Sequence, residues 1–321
     1  MQFKKGSGVT AKWAAALALV CGAVGLGMPA HAKTPEYTIA IITHAAPGDT
    51  FWDIVRKGAE AAAKNDHVRL IYMASPDASK QAQLVVNAVE QHVSGIALTL
   101  AHPDAMRAAV KQAQAAHIPV VGFNAGTGQW KAMGLLGYAG QDEMVAGEAV
   151  GERLNDEGAK NVLCVNQEQG AVQLEARCDG IKKTFKGKFA VLYVNENNMA
   201  DVQSRMVAKL QQDPAIDYVV TLGAPYAVTA VRAIGMAGSK AVVGTFDMSP
   251  TAIRMIAKGT KLKWAIDQQP YVEGYEAVDM LWLNLTNGDT VGGGRPVLTG
   301  PSFVTQENAA MVAKYAERGT R

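Results

Sequence analysis

From Tyr37 onward, short apolar runs alternate with stretches in which apolar residues recur every three or four positions. The runs are Tyr37–Thr43, Val68–Met73, Gly95–Leu100, Ile118–Phe123, Met133–Tyr138, Asn161–Val165, Ala190–Val194, Asp217–Leu222, Ala241–Phe246 and Leu262–Ile266. Each is short and apolar and bounded by turn formers, which predicts buried strands. Between them, segments such as Phe51–Lys64, Asp77–His92, Asp104–Ala116, Asp142–Asp156, Pro225–Met236 and Tyr271–Leu285 carry helical spacing. Regular alternation of this kind means βαβ units and parallel sheets. Ten strands exceed what one ordinary open sheet holds, so two lobes of about five strands each are expected. The break is placed after Tyr138, where Gly140-Gln141-Asp142 opens a helix and Asn161 starts a second series. A further passage is expected late in the chain, among Asn287-Gly288-Asp289 and Gly292-Gly293-Gly294-Arg295-Pro296.

The run Ala241–Phe246 ends in Asp247, a carboxylate just past the strand's C-terminal end. In open α/β sheets that edge is where ligands bind. Taken alone, Asp247 could equally cap the helix that begins at Ser249 or Pro250. It is not alone. The same edge receives His44, Asp49, Phe51 and Trp52 after the first strand and Asn124 after the fourth. From the second series come Gln167, Gln169 and Arg177, then Gly223 and Tyr226, then Gln268. Flat rings beside amide, carboxylate and guanidinium groups suit a polyhydroxylated ligand, because rings cover C–H faces while planar polar groups pair hydroxyls. Phe51 and Trp52 also fit a helix-start staple, and Arg177 also fits a surface ion pair.

Composition narrows the class. With 321 residues, 49% hydrophobic and 19% charged, the chain is globular and long enough for two domains. Residues 1–32 differ from the rest: Lys4, Lys5 and Lys12 flank the apolar run Trp13–Val20, and Ala30-His31-Ala32 supplies a small-x-small cleavage site. They are expected to be a secretory signal peptide, and the run is short of a membrane span. Without those three lysines the chain carries 28 basic against 29 acidic residues, a balance that offers nothing to nucleic acid or an anionic surface. Cys164 and Cys178 remain in a chain bound for an oxidising compartment. They either pair, the helix after the Cys164 strand returning Cys178 along the sheet, or stay as two buried thiols.

Catalytic signatures are sparse. There is no Gly-x-Ser-x-Gly elbow, phosphate-binding loop or His-Glu-x-x-His pair, and neither cysteine has metal-ligand spacing, so no cofactor or metal is expected. His67, His92 and His117 lie near helix ends and read as solvated; His44 and His102 lie at strand ends and stay weak site candidates.

Five stretches in order carry a resemblance: Asp49-Thr50-Phe51-Trp52 with Gly58, Ile118-Pro119-Val120-Val121-Gly122-Phe123-Asn124, Glu175-Ala176-Arg177-Cys178-Asp179-Gly180, Val242-Val243-Gly244-Thr245-Phe246-Asp247, and Ile266-Asp267-Gln268-Gln269-Pro270. The chain resembles the periplasmic sugar-binding proteins of the ribose and galactose type, the type I solute-binding components of ABC importers. The resemblance implies an α/β fold of two Rossmann-like lobes with parallel sheets, joined by three crossings near Tyr138, Gln268 and Leu298. It implies lobes of 33–138 plus 270–298 and 139–269 plus 299–321, closing over one monosaccharide. It implies that Phe51 and Trp52 sandwich the sugar ring, with Phe246 a third aromatic, and that Asn124, Arg177, Asp247 and Gln268 hold its hydroxyls. A periplasmic, monomeric, non-enzymatic protein that serves a permease in the inner membrane follows.

Ribose-type members usually carry Asp-Arg where this chain has Asn124-Ala125, and often Asn at Gly223 and Asp49. These departures leave a hexose, another pentose, a polyol or a furanosyl signal open as the ligand. A binding protein that presents its ligand to a chemoreceptor or kinase, and a secreted α/β enzyme, are the alternatives. A lactose-repressor-type regulator would begin with a basic helix-turn-helix, where this chain has its leader-like segment.

Overall fold

The computed structural model describes residues 37–321, and the expected leader, 1–32, lies outside them. The first half builds β1 (Thr38–Thr43), α1 (Thr50–Asn65), β2 (Arg69–Ala74), α2 (Ala78–Glu90), β3 (Gly95–Leu98), α3 (Pro103–Ala115), β4 (Val120–Phe123) and β5 (Tyr138–Gly140). The second builds α4 (Glu143–Asp156), β6 (Asn161–Asn166), α5 (Val172–Thr184), β7 (Lys188–Tyr193), α6 (Met199–Gln212), β8 (Tyr218–Thr221), α7 (Ala224–Met236), β9 (Val242–Phe246), α8 (Pro250–Ala257) and β10 (Leu262–Asp267). The tail adds α9 (Pro270–Asn287), β11 (Val297–Leu298), β12 (Ser302–Thr305) and α10 (Ala309–Ala316).

The strands form two six-stranded sheets, in the orders β11-β5-β4-β3-β1-β2 and β12-β10-β9-β8-β6-β7. Every pairing is parallel except β10 with β12. The chain passes between the sheets three times: after β5, after β10 and after β11. Each sheet is apolar on both faces, as parallel sheets require. Ile39, Ile41 and Phe123 face α1 and α9, while Ile42, Ile96 and Leu98 face α2 and α3. In the second sheet, Cys164, Val220 and Phe246 face α4 and α5, while Leu163, Val219 and Val243 face α6 to α8.

Two helix pairs approach backbone to backbone. A Cβ at Gly58 or Gly274 would overlap the main chain of the partner helix in the α1–α9 pair, and one at Gly147 or Gly180 would do so in the α4–α5 pair. A disulfide, Cys164–Cys178, joins β6 to α5, the first of the two arrangements the sequence left open.

The expected strand Met133–Tyr138 is corrected: β5 begins only at Tyr138 and runs to Gly140. Trp130, Met133 and Leu135 are buried from a series of turns, with Gly126 and Gly134 at positive φ. A buried turn has the same apolar density as a strand, so periodicity alone did not separate them. His67, His92 and His117 are exposed and close α1, α2 and α3 in the left-handed conformation, the place glycine usually takes. Among the described residues no helix is long and apolar enough to cross a membrane.

Candidate functional site

The strand ends explain how the site is assembled. Asn124 follows β4 and Asp247 follows β9, the corresponding strands of the two sheets, and both are left-handed at φ 61° and 64°. That conformation costs a residue with a Cβ free energy, but Asn and Asp tolerate it best. Here it turns both side chains back toward the gap between the sheets. Asp247 caps nothing. The α8 cap is Ser249, whose Oγ accepts from the Ala252 amide at 3.1 Å. Asp49 is the residue that caps, accepting from the Phe51 amide at 3.0 Å at the head of α1.

A band of buried polar side chains runs from one sheet to the other through the crossings. Glu273, from the first turn of α9, accepts from Thr299 at 3.2 Å and from the Asn124 amide at 2.9 Å. Asn124 also donates to Gln268 Oε1 at 3.4 Å, and Gln268 Nε2 donates to Asp247 Oδ1 at 2.5 Å. Asp247 Oδ2 lies 3.6 Å from Arg177 Nη1, which donates to the Leu222 carbonyl. Arg177 grips Glu143 with two bonds, 2.6 and 2.8 Å, and Glu143 accepts from Gln141 at 2.7 Å. Beneath the guanidinium lies the Phe246 ring, 4.7 Å away. Buried ion pairs are tolerated only with this degree of hydrogen bonding.

The charges follow from burial. Desolvation pushes Asp247 up to about 6 in spite of Arg177 and Gln268, because Arg177 is already committed to Glu143. Burial also raises Glu273 well above the carboxylate range and lowers His44 to about 4, leaving His44 a neutral imidazole. Burial opposes the charge on Arg177, but Glu143 and Asp247 outweigh it and hold the guanidinium protonated.

A cavity of about 60 Å³ lies against this band. Of the sequence candidates it is lined by His44, Asp49, Phe51, Trp52, Asn124, Arg177, Tyr226, Asp247 and Gln268. A hollow of about 340 Å³ adjoins it, sharing Asp49, Phe51, Gln167, Glu196, Tyr226 and Asp247, and reaches Gly223. Gly223 leaves room for Tyr226, whose ring would sit 3.1 Å from a Cβ there. A larger hollow of about 650 Å³ lies at the opposite ends of β8 and β9, lined by Arg153, Tyr218 and Lys263, far from every candidate. Strand C-terminal edges bind ligands in such sheets, which makes the smaller cavity the candidate site.

Two aromatic expectations need correction. Phe51 and Trp52 meet edge to face, 5.2 Å apart at 85°, so they do not form two parallel walls; the opposite sheet supplies Tyr226 instead. Phe246 is fully buried under Arg177 and does not line the cavity.

Five polar residues escaped the sequence reading, Glu168 of the cavity wall among them. Glu143 and Glu273 stand in the first turns of helices, where acids are ordinary dipole partners. Gln173 Nε2 donates to His44 Nε2 at 3.1 Å across the gap, and Glu196 sits in a loop without any motif. Besides Asn124–Gln268, the His44 contact and two others cross from the first sheet's loops to the second's. Glu168 bonds His102 at 3.1 Å, and the Val172 amide donates to the Ala101 carbonyl at 3.0 Å. Among the described residues no group of His, Cys, Asp and Glu is placed to hold a metal ion.

Residues 39–289 match a family model described as periplasmic binding protein domain. A solved carbohydrate transporter from Acidothermus cellulolyticus 11B, in complex with myo-inositol, is 57% identical. It superposes with a TM-score of 0.88, covering 89% of this chain and 100% of that one. Xylose/arabinose-binding protein XylF of Sulfolobus acidocaldarius is 27% identical over 239 residues. That is 69% of this chain and 59% of the relative, so the match spans less than two thirds of that protein. Ribose import binding protein RbsB of Bacillus subtilis is 26% identical over 249 residues, 76% of this chain and 80% of the relative.

Proposed function

The chain belongs to the periplasmic binding protein domain family, and from that premise we propose that it captures a cyclic polyol or monosaccharide between its two sheets and delivers it to an ABC importer. The observation that carries the reading is the polar band Asn124–Gln268–Asp247–Arg177 laid along one side of a cavity whose other sides are Phe51, Trp52 and Tyr226. Amide, carboxylate and guanidinium groups held rigid by one another pair a ring's hydroxyls, and aromatic rings cover its C–H faces.

Among ligand classes, a cyclitol of the inositol kind is favoured. The relative at 57% identity holds myo-inositol, and the ribose-type pattern is replaced at Asn124, Asp49 and Gly223. The lobes are taken as 33–138 plus 270–298 and 139–269 plus 299–321, moving about the three passages after β5, β10 and β11. The family name supports a place outside the cytoplasm. Removal of residues 1–32 on export, a permease partner in the inner membrane and a monomeric state complete the proposal. The role requires no catalytic step.

Asp247→Ala tests the site. A buried carboxylate bonded to two ligand hydroxyls makes charge-assisted bonds of about 1.5–3 kcal/mol each. Calorimetric titration with myo-inositol, D-glucose, D-galactose and D-ribose should find a tight ligand for the parent and at least a hundredfold weaker binding for the variant. The melting temperature should not fall, since Ser249 does the capping. Equal affinity in parent and variant, or no binding of any polyol, overturns the reading.

A further inference from the structure

The cavity wall carries more negative charge and more free hydrogen-bond acceptors than a neutral polyol uses. Four carboxylates, Asp49, Glu168, Glu196 and Asp247, face it against one guanidinium, Arg177, and Arg177 is already gripped through Nε and Nη2 by Glu143 behind the wall. Glu196, among the described residues, has no hydrogen-bond or ion-pair partner. Gln173 is 5% exposed and lines the same cavity, yet its Oε1 is buried with no donor. The Gln167 Oε1, which borders both the cavity and its adjoining hollow, is likewise buried and unpaired. Buried acceptors without donors are rare in folded proteins and mark places where a ligand supplies the proton.

We propose that the preferred ligand is a polyol bearing an ammonium group, an aminodeoxy-cyclitol or amino sugar, whose nitrogen sits beside Glu196 and Asp49, and that phosphorylated or carboxylated polyols are excluded. The inference rests on the polyol-binding reading above and specifies its ligand class. An ammonium is the one common substituent that offers three donors, accepts none and carries the charge this wall lacks. The Phe51 and Tyr226 rings border both the cavity and the hollow, and aromatic faces beside carboxylates are the usual setting for an organic cation. Burial, and then the charges of Glu168 and Asp49, push Glu196 up to about 7. A cation arriving there removes that repulsion, whereas an anion adds to it.

Titration calorimetry on the parent and on Glu196→Gln, with melting temperature as the control for folding, tests the proposal. The probes are myo-inositol, the monoaminodeoxy-inositol isomers, myo-inositol 1-phosphate, D-glucose and D-glucosamine. For the parent, the best aminodeoxy-inositol should bind at least as tightly as myo-inositol, and the phosphate at least a hundredfold more weakly. In Glu196→Gln the ratio of amine affinity to parent-polyol affinity should fall at least tenfold. Every amine binding more weakly than its parent polyol, the phosphate binding less than a hundredfold more weakly, or a ratio in the variant that falls less than tenfold, overturns the proposal. If myo-inositol does not bind, the cyclitol reading fails, and the same two criteria are applied to glucosamine against glucose. If no neutral polyol and no amine binds, both fall.

Discussion

Asp247 and Asn124 are paired by position, each the first residue past a central strand and each left-handed, but they carry different electrical consequences. Asn124 is neutral; Asp247 is a buried acid pushed up to about 6. The groups facing it are Arg177, Gln268, Glu143 and Asp49. If the ligand binds the carboxylate form, affinity should fall about tenfold between pH 7 and pH 5 as Asp247 takes up a proton. Asp247→Asn should bind more weakly and without that slope. Stability has the opposite sign. A carboxyl raised above its unfolded value binds its proton more tightly in the native state, so its contribution is present at low pH and is lost as pH rises through about 6. Asp247→Asn should therefore be more stable than the parent at pH 8, by up to about 3 kcal/mol, with the gap closing toward pH 4. Melting curves at several pH values check this. A gap that widens on acidification would contradict the assignment.

Whole elements set where these residues stand. Arg177 lies on α5, and α5 is held against α4 by the interlocked glycines Gly147 and Gly180, with the adjacent Cys178 tied to β6. A methyl at Gly147 would overlap the Arg177 carbonyl, so α5 must move and carry the guanidinium with it. Gly147→Ala, outside the cavity, should therefore lose about 1–3 kcal/mol of stability and also weaken ligand binding about tenfold, measured by melting and titration. Unchanged affinity would mean that Arg177 is positioned by Glu143 alone. These helices also show why the site was only partly legible in the sequence. Asp247, Gln268 and Asn124 could be found because strand ends are visible as the close of apolar runs. Glu143 and Glu273 could not, because an acid in a helix's first turn has the same local appearance whether it faces water or a buried arginine. Fold class and the two series of strands followed from periodicity, whereas β11, two residues long, is too short to show any, and β12, Ser302–Thr305, lies beyond the runs that periodicity marked.

At the scale of the molecule, the two sheets repeat one strand order, so their ligand-binding edges face a common gap bridged by His44–Gln173, His102–Glu168 and Val172–Ala101. None of these bonds depends on a ligand atom, and on the proposed reading, in which the lobes part about the three passages, all three break as they do so. We propose that they act on time as well as on affinity, the bridge setting how long a captured molecule is retained before the lobes part. His102 and Glu168 are partly exposed, and such a pair contributes about 1 kcal/mol at most. Glu168→Gln should then raise the dissociation rate constant about fivefold in stopped-flow displacement. The hydrogen bond to Glu168 raises the His102 pKa, so the pair is charged at low pH and loses its charge as pH rises past that value. The difference between parent and variant should shrink over the same interval, and a difference independent of pH would assign the bridge's hold to the Val172 and His44 contacts. For a carrier, residence time is a working quantity, since a molecule must be held long enough to reach the membrane and released soon enough to let the carrier return. On the proposed reading that interval is adjusted at a partly buried pair, His102–Glu168, of which only Glu168 borders the cavity.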